Sequence, residues 1–504
     1  MKDYQVLKNL FPHMMLATQL TGERTENTIL APSLGTYYLE SYISERGVPT
    51  TVFDQDLHSE TDFLELASQG EFDVIGLSVT HANILEDLDL LWRFKNAIST
   101  GDKRVIIIGG GQEATMNYKA WLDYGIDLIF TGFAQKSLFE FCENWREFQG
   151  HKPDVALEKL TEGINGVIFN DASQKTVFRP SMPFVDGELE ELLYFEVVDK
   201  VKLPYSEYWN KMRKNHANVN AGAAKFTVEN GRLFTTSHCP RQCGFCNSQT
   251  FLPFSTEKRK TTITYLSSAQ ITDMILKSHK NDGALAFSFN DDDFLIGNKG
   301  GIDRAKEICS NVISLKEDGR LPNELGFSCQ TRVHNFIAKD RHNNRSVDDD
   351  LLQLMSTAGF HNISMGIETF VPRIMAAPSI NKMGINLEEI LSVIDGIIKA
   401  GITPQVNVIV GIPEYTKQEL IENFKVVYDC YVKGCDVGVN RYLLALPGAP
   451  IYSSGQYKTI DKTWTHPITG KVFSIPDQFV PMDDEVREVV EQMEPLHERL
   501  LQEV

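Results

Sequence analysis

Cys239-Pro240-Arg241-Gln242-Cys243-Gly244-Phe245-Cys246 sets three cysteines at C-x3-C-x2-C spacing, with an aromatic residue directly before the third. Three thiolates this close can each cap one iron of a cubane cluster and leave the fourth iron without a protein ligand, open to a small chelating molecule. A structural zinc site asks for four nitrogen or sulfur ligands, commonly as paired C-x2-C knuckles. The remaining cysteines, Cys142, Cys309, Cys329, Cys430 and Cys435, are scattered and supply no second knuckle. His238 adjoins Cys239, but neighbouring side chains rarely converge on one metal. A disulfide framework does not suit so long a chain with eight cysteines.

A chain of 504 residues should hold two or three domains, each able to bury a core. Its apolar share of 42% and charged share of 23% are those of an ordinary globular protein. No N-terminal run joins a basic stretch to an apolar core and cleavage site, and no apolar segment approaches bilayer length. The expectation is therefore the reducing cytoplasm and no membrane partner. A net charge of −19 argues against a general nucleic-acid binder, whose footprint is basic, and leaves a small-molecule or peptide substrate open.

Upstream of the cysteines, residues 1–150 alternate short apolar runs with helical stretches. Asn27–Pro32, Thr50–Phe53, Asp73–Val79, Arg104–Gly109 and Asp127–Phe130 read as strands; Gly35–Arg46, a segment around Phe63–Ala67, and a stretch with Leu85, Leu88, Leu91 and Trp92 on one face read as helices. Such alternation predicts a doubly wound, Rossmann-like parallel sheet covered on both faces, with ligands beyond the carboxyl ends of its strands. Those ends carry Ser33-Leu34-Gly35-Thr36, Asp54-Gln55-Asp56, Thr80-His81-Ala82-Asn83 and Gly109-Gly110-Gly111-Gln112. Residues 151–228 read as a connector with a hairpin, Gly166–Asn170 and Thr176–Arg179, and a polar helix around Tyr205–Asn215.

From 229 to 450 the alternation resumes at barrel-like intervals. Leu233–Thr236 delivers the cysteine loop. Ala284–Phe289 ends in Asn290-Asp291-Asp292-Asp293, Glu324–Cys329 in Gln330-Thr331-Arg332, Asn362–Met365 in Gly366-Ile367-Glu368, Gln405–Val410 in Gly411-Ile412-Pro413-Glu414, and Gly438–Leu444 in Ala445-Leu446-Pro447-Gly448. Six strands with polar or glycine-rich carboxyl ends predict a partial (β/α)6 barrel whose chemistry gathers at that face. Residues 451–504 form a short C-terminal extension, loop-rich until a helix starts at Asp483-Asp484-Glu485.

The cysteine spacing, Phe245 and the ordered strand ends resemble the radical S-adenosylmethionine (SAM) enzymes. The sheet upstream resembles the cobalamin-binding domain of their B12-dependent branch. That resemblance implies a 4Fe–4S cluster on Cys239, Cys243 and Cys246, SAM chelated at the open iron, and cleavage of SAM to a 5′-deoxyadenosyl radical. It implies SAM contacts from Phe245, Asp291, Asp292, Arg332, Glu368, Gly411 and Ile412, and cobalamin contacts from Thr80, Gly109, Gly110 and Gly111. Lys382 matches a recurrent lysine downstream of Gly-x-Glu. Read as residues alone, the aspartate run suits a turn or helix cap, and Arg332 with Glu368 suits an ion pair.

Two features depart from the cobalamin pattern. The loop after the first strand has no histidine, and the fifth-strand turn is Gly132-Phe133-Ala134 rather than Gly-Glu-Gly. Asp56-Leu57-His58 has part of the D-x-H-x-x-G spelling but follows the second strand and lacks the glycine. The implied activity is cobalamin-dependent methylation of an unactivated carbon, fed by an electron donor such as flavodoxin or ferredoxin. The alternatives are a cobalamin-binding relative that rearranges, cyclises or oxidises, a radical SAM enzyme with an empty first domain, and a zinc-bearing regulatory protein.

Overall fold

The computed structural model describes residues 11–18, 30–99, 103–148, 155–182, 203–215, 228–257, 263–339 and 341–503. It divides into two compact units, each considered by itself. The first takes Met1–Ala224 with Thr250–Thr262 and Trp464–Phe473; the second takes Lys225–Gln249, Ile263–Thr463 and Ser474–Val504.

In the first unit, short apolar runs form β1 (Met14–Ala17), β2 (Thr50–Phe53), β3 (Val74–Ser78), β4 (Ile106–Gly110) and β5 (Leu128–Phe130). The sheet order is β2-β1-β3-β4-β5, all parallel, and it continues into β6 (Val167–Asn170) and β7 (Thr176–Arg179), which pair antiparallel. The order reverses between β1 and β3, the kind of switch point where open sheets bind ligands. On one face, Tyr38 and Tyr42 of the helix Leu34–Ser44 and Phe141 and Trp145 of the helix Gln135–Phe148 pack over Met14, Val74, Ile106 and Leu128.

Two expectations are corrected here. The first strand is β1, not Asn27–Pro32; residues 27–29 lie outside the described ones, 30–32 are not strand, and Leu34 already opens a helix. The run Met14–Ala17 is fully buried and only four residues long, too short to show a period. The hairpin expected in the connector instead extends the first sheet, because the edge of β5 offers unpaired backbone groups that β6 satisfies.

The second unit holds β8 (Asn230–Leu233), β9 (Ala286–Phe289), β10 (Gly326–Thr331), a small hairpin of β11 (Ile337–Lys339) and β12 (Arg345–Val347), then β13 (Phe360–Glu368), β14 (Thr403–Gly411) and β15 (Asp436–Tyr442). Six of these pair side by side in chain order, β8-β9-β10-β13-β14-β15, all parallel, as a (β/α)6 partial barrel requires. Its helices start and stop on local signals. Ser267 with Gln270, Asn386 with Glu389, and Thr416 with Glu419 form capping boxes, and Gly283 and Gly359 end two helices in the left-handed conformation.

The cysteine-bearing strand lies three residues earlier than Leu233–Thr236, because Thr235 and Thr236 are drawn out of the ladder by a carboxylate described below. The C-terminal extension also departs from expectation. It folds as a two-stranded sheet of β16 (Thr459–Thr465) and β17 (Val472–Phe479) before the helix Asp484–Glu503. Val486 and Val490 of that helix are buried with Ile412, Tyr415 and Phe479. No described helix is long and apolar enough to cross a membrane.

Candidate active site

The cysteine loop is held by backbone and amide contacts on both sides. Gly244 N–H donates to Ile380 O at 3.1 Å, and Ile451 N–H donates to Gly244 O at 3.0 Å. Asn381 Nδ2 donates to Gln242 O at 2.6 Å, and Gln249 Nε2 donates to Cys243 O at 2.7 Å. A Cβ at Gly244 would stand 1.9 Å from Pro378 O, so the segment 378–381 closes on the loop only because that residue is glycine.

Cys243 is buried, and Cys239 and Cys246 are partly buried. Burial pushes the Cys239 thiol up to about 12, and the nearby Asp293, Asp292 and Cys246 add to it. Burial also raises Cys246, with Asp292 and Cys243 contributing. The three thiols thus share one electrostatic neighbourhood. Among the described residues no group of three or more His, Cys, Asp or Glu side chains is poised to hold a single metal ion. A cubane differs, since each thiolate caps its own iron and the iron charge deprotonates the thiol it binds. The residues present fit that group.

The aspartate run separates into distinct roles. Asp291, at 2% exposure, accepts from Thr235 N (2.7 Å), Thr236 N (2.8 Å) and the hydroxyls of both threonines. Burial raises its carboxyl pKa, while the Arg304 cation and these donors pull it down. Asp293 accepts from Thr331 Oγ1 (2.8 Å), Asn335 Nδ2 (2.6 Å) and Arg241 Nε (3.1 Å). Both carboxylates are saturated and buried. Asp292 is not: it is exposed, receives a hydrogen bond from Ser248, and acts electrostatically on Cys239 and Cys246. The protein crowding around it still raises its carboxyl pKa by desolvation. Of the two aspartates expected at SAM, the structure leaves Asp292 available and engages Asp291 in holding the end of β8.

At the next strand ends, Arg332 has a buried Nε without a hydrogen-bond partner. His334, two residues on, is pushed down to about 4 by burial and by the Arg332, Arg241 and Lys382 cations. Glu368 does not pair with Arg332. Lys382 Nζ stands 2.7 Å from Glu368 Oε1, donates to Gly366 O at 2.8 Å, and lies 5.7 Å from the Phe245 ring centroid. Glu368 has φ +63°, a left-handed conformation rare outside glycine, at a register shift in the β13–β14 pairing. The next residue, Thr369, accepts from Tyr415 OH at 2.6 Å, and Asn423 Oδ1 accepts from Phe370 N–H at 2.7 Å, which over-determines the strained turn.

Gly411 ends β14 and Ile412 follows it. A Cβ at Gly411 would stand 2.6 Å from Arg441 O, and Ile412 is fully buried. Glu414, just beyond, accepts from Ser379 Oγ and Tyr457 OH, both at 2.6 Å. Lys382, Ser248, Ser379 and Tyr457 are parts of this arrangement to which sequence reading assigned no role. Only Lys382 had a signal, its distance from Gly-x-Glu. Cys329, at 4% exposure with a thiol raised well above its usual range by burial, is packed in the core.

In the first unit, Thr80 follows β3, its N–H donates to Asp87 Oδ2 at 2.8 Å, and its hydroxyl accepts from Asn83 N–H at 3.4 Å. Gly109 lies inside β4, where a Cβ would strike Ile126; Gly110 ends that strand, and Gly111 turns at φ +98° into the next helix. Asp56-Leu57-His58 is a turn, not a solvated loop: Asp56 is 5% exposed and His58 Nδ1 accepts from Asp54 N–H at 3.0 Å. Asp54 itself accepts from Tyr37 OH and Tyr208 OH, each at 2.8 Å.

Burial raises the Asp87 carboxyl to about 8, with Glu86 and Glu113 adding to it. In the unfolded chain that group titrates near about 4. Between about pH 4 and 8, unfolding therefore releases a proton, and stability falls as pH rises. Asp87→Asn keeps an acceptor for Thr80 N–H and removes the titration. Its urea midpoint should exceed that of the unsubstituted chain at pH 8 and approach it at pH 5. Parallel curves at the two pH values would contradict this.

Residues 233–427 match the Radical SAM superfamily. Cytidylyl-2-hydroxyethylphosphonate methyltransferase of Streptomyces wedmorensis is 20% identical over 385 residues, 74% of this chain and 64% of that protein, so less than two thirds of that relative is spanned. TsrM, a radical S-adenosylmethionine methyltransferase from Kitasatospora setae solved with tryptophan substrate and a SAM analog, aligns over 93% of this chain and 86% of its own, with a TM-score of 0.65 and 15% identity. OxsB, a cobalamin-dependent S-adenosylmethionine radical enzyme solved with aqua-cobalamin and SAM, aligns over 97% of this chain and 66% of its own, with a TM-score of 0.67 and 15% identity. At such identity the two structures establish a shared fold.

Proposed function

We infer that this chain, whose residues 233–427 match the Radical SAM superfamily, is a cobalamin-dependent radical SAM enzyme that methylates an unactivated carbon of a small-molecule or peptide substrate. When bound, a 4Fe–4S cluster supplies the electron that cleaves SAM to a 5′-deoxyadenosyl radical, and cobalamin supplies the methyl carrier. The observation that carries the reading is Asp292, an exposed carboxylate that acts electrostatically on the thiols of Cys239 and Cys246.

Cys239, Cys243 and Cys246 would hold the cluster. Asp292, positioned by Ser248, would accept from the ammonium of SAM's methionine part, a charge-assisted bond. Arg332 offers an unpartnered donor for its carboxylate. Glu368, fixed by Lys382 on one oxygen, would accept from the ribose hydroxyls with the other. Phe245 and the Gly411–Ile412 turn would flank the adenine. In the first unit, Thr80 and the Gly110–Gly111 turn stand at strand ends where a corrin would approach the backbone. Gly109, inside β4 and against Ile126, would act by packing.

The test is anaerobic reconstitution with iron and sulfide, exposure to hydroxocobalamin, and desalting. About four irons per chain and near-stoichiometric corrin absorbance are expected; one zinc without sulfide would sink the reading. Incubation with SAM bearing a deuterated methyl group should then move that label to the substrate. Asp292→Asn is expected to weaken SAM binding by about tenfold, the loss of one charge-assisted hydrogen bond, with iron content unchanged. Asp291→Asn should instead lower iron content, because it loosens Thr235 and Thr236. The reverse pattern would exchange the two roles.

A further inference from the structure

Residues on the four inner strands of the barrel alternate between two chemistries. Phe287, Phe327, Met365 and Val406 are fully buried, and Lys316 of the helix Lys299–Glu317 lies 5.9 Å over the Phe327 ring, which puts this face against the helix layer. Their sequence neighbours Ser288, Ser328, Ser364, Gln405 and Asn407 turn the other way, into the lumen, and stay partly open. They order one another. Ser288 Oγ and Ser328 Oγ are 2.8 Å apart, Asn407 Nδ2 donates to Ser364 Oγ at 2.8 Å, and Gln405 Nε2 donates to Asn407 Oδ1 at 3.4 Å. The register sets Ser288 beside Ser328 and Ser364 beside Gln405.

Gln330, the partner of Ser364 on β10, is exposed with no hydrogen bond to its side-chain amide. A Cβ at Gly438 would stand 2.2 Å from Asn407 Oδ1, so glycine on β15 leaves the amide its place. Parallel barrels ordinarily fill this space with branched apolar side chains. Here it is lined by hydroxyls and amides, and among the described residues charges appear at this level only on the outer strands, Arg232 on β8 and Asp436 on β15.

The level of this lining matters for the reaction. A Cβ at Gly366 would stand 2.6 Å from Glu368 Oε1 and 2.9 Å from Lys382 Nζ, so that pair lies on the lumen side, one step beyond Ser364 toward the carboxyl ends. The neutral lining thus begins directly beneath the proposed ribose contact. Serine hydroxyls and an unpaired glutamine amide both donate and accept, as alcohol groups do. An aromatic or aliphatic guest would leave those groups unpaired, and a charged one seated over the four inner strands would lose its hydration with no counter-ion on those strands.

We infer that the barrel lumen binds an uncharged, hydroxyl-rich substrate of the carbohydrate class, a sugar or the sugar part of a nucleoside. The inference rests on the proposed function in taking the lumen's guest as the reaction's substrate.

Saturation-transfer NMR on the full-length, cluster-loaded protein with SAM tests it, using uridine, methyl α-glucoside, tryptophan and octanoate as probes. Saturation of uridine or the glucoside is expected, with affinity about tenfold weaker in Asn407→Leu. Ser364→Ala, a smaller change, serves if Asn407→Leu does not fold. Preference for tryptophan or octanoate overturns the inference. So does silence from both hydroxylated probes at millimolar concentration, or unchanged binding in the variants. The same samples, given reductant, are assayed for 5′-deoxyadenosine. Probe binding without SAM cleavage counts against the proposed function alone, and SAM cleavage without probe binding counts against the lumen assignment alone.

Discussion

Arg304→Leu is expected to destabilise the barrel unit by about 3–5 kcal/mol, the usual cost of leaving a buried charge without its compensating cation. Arg304 is 5% exposed. Its Nη1 donates to Thr235 O and Thr235 Oγ1, both at 3.2 Å, and its Nη2 donates to Phe294 O at 2.9 Å. It is also the main positive charge acting on buried Asp291. Without it, that carboxylate keeps its threonine donors but has no compensating cation. The end of β8 and the turn after β9 should loosen together, and with them the loop that carries Cys239. Urea unfolding followed by the cluster's visible absorbance reports this unit. A loss under about 1 kcal/mol would mean that the neutral hydrogen bonds suffice. Adding Asp291→Asn to Arg304→Leu should recover part of the loss, because the stranded charge is then gone.

Lys382→Met should lower SAM cleavage by about 100-fold, the scale at which small misplacements of reacting groups act. Lys382 is 7% exposed on its side chain and holds Glu368 in a backbone conformation that glutamate rarely adopts. It also lies over Phe245, so one ammonium relates the residue before Cys246 to the acid after β13. Methionine fills similar volume and removes the charge, leaving Glu368 buried and free to rotate. Iron content should stay as in the unsubstituted chain, while the SAM-induced change in the electron paramagnetic resonance of the reduced cluster should weaken. Lys382→Arg should restore part of both. Lower iron content with an unchanged SAM response would make Lys382 a loop-folding residue instead.

Much of this arrangement is local and therefore legible in the chain itself. Cys239, Cys243 and Cys246 lie within eight residues, so their spacing alone limits what they can hold. The barrel strands announced themselves as short apolar runs with glycine or charge at their ends. A strand of four buried residues, β1, lacks any such pattern, and β6 took its place by pairing with an edge that sequence does not display. Both are decisions of partnership, not of propensity.

By itself, then, the sequence determined the cluster-type cysteine loop, the two successive strand–helix alternations and the set of strand ends at which chemistry gathers. Only the tertiary structure decided which charge does what. Asp291, Asp292 and Asp293 are indistinguishable as letters; Thr235, Thr331, Asn335 and Arg241 saturate two of them and leave the third open. Lys382 and Glu368 are 14 residues apart and meet because β13 bulges where Gly366 leaves room. A buried carboxylate must find donors, and those donors come from whichever strands the fold has brought beside it.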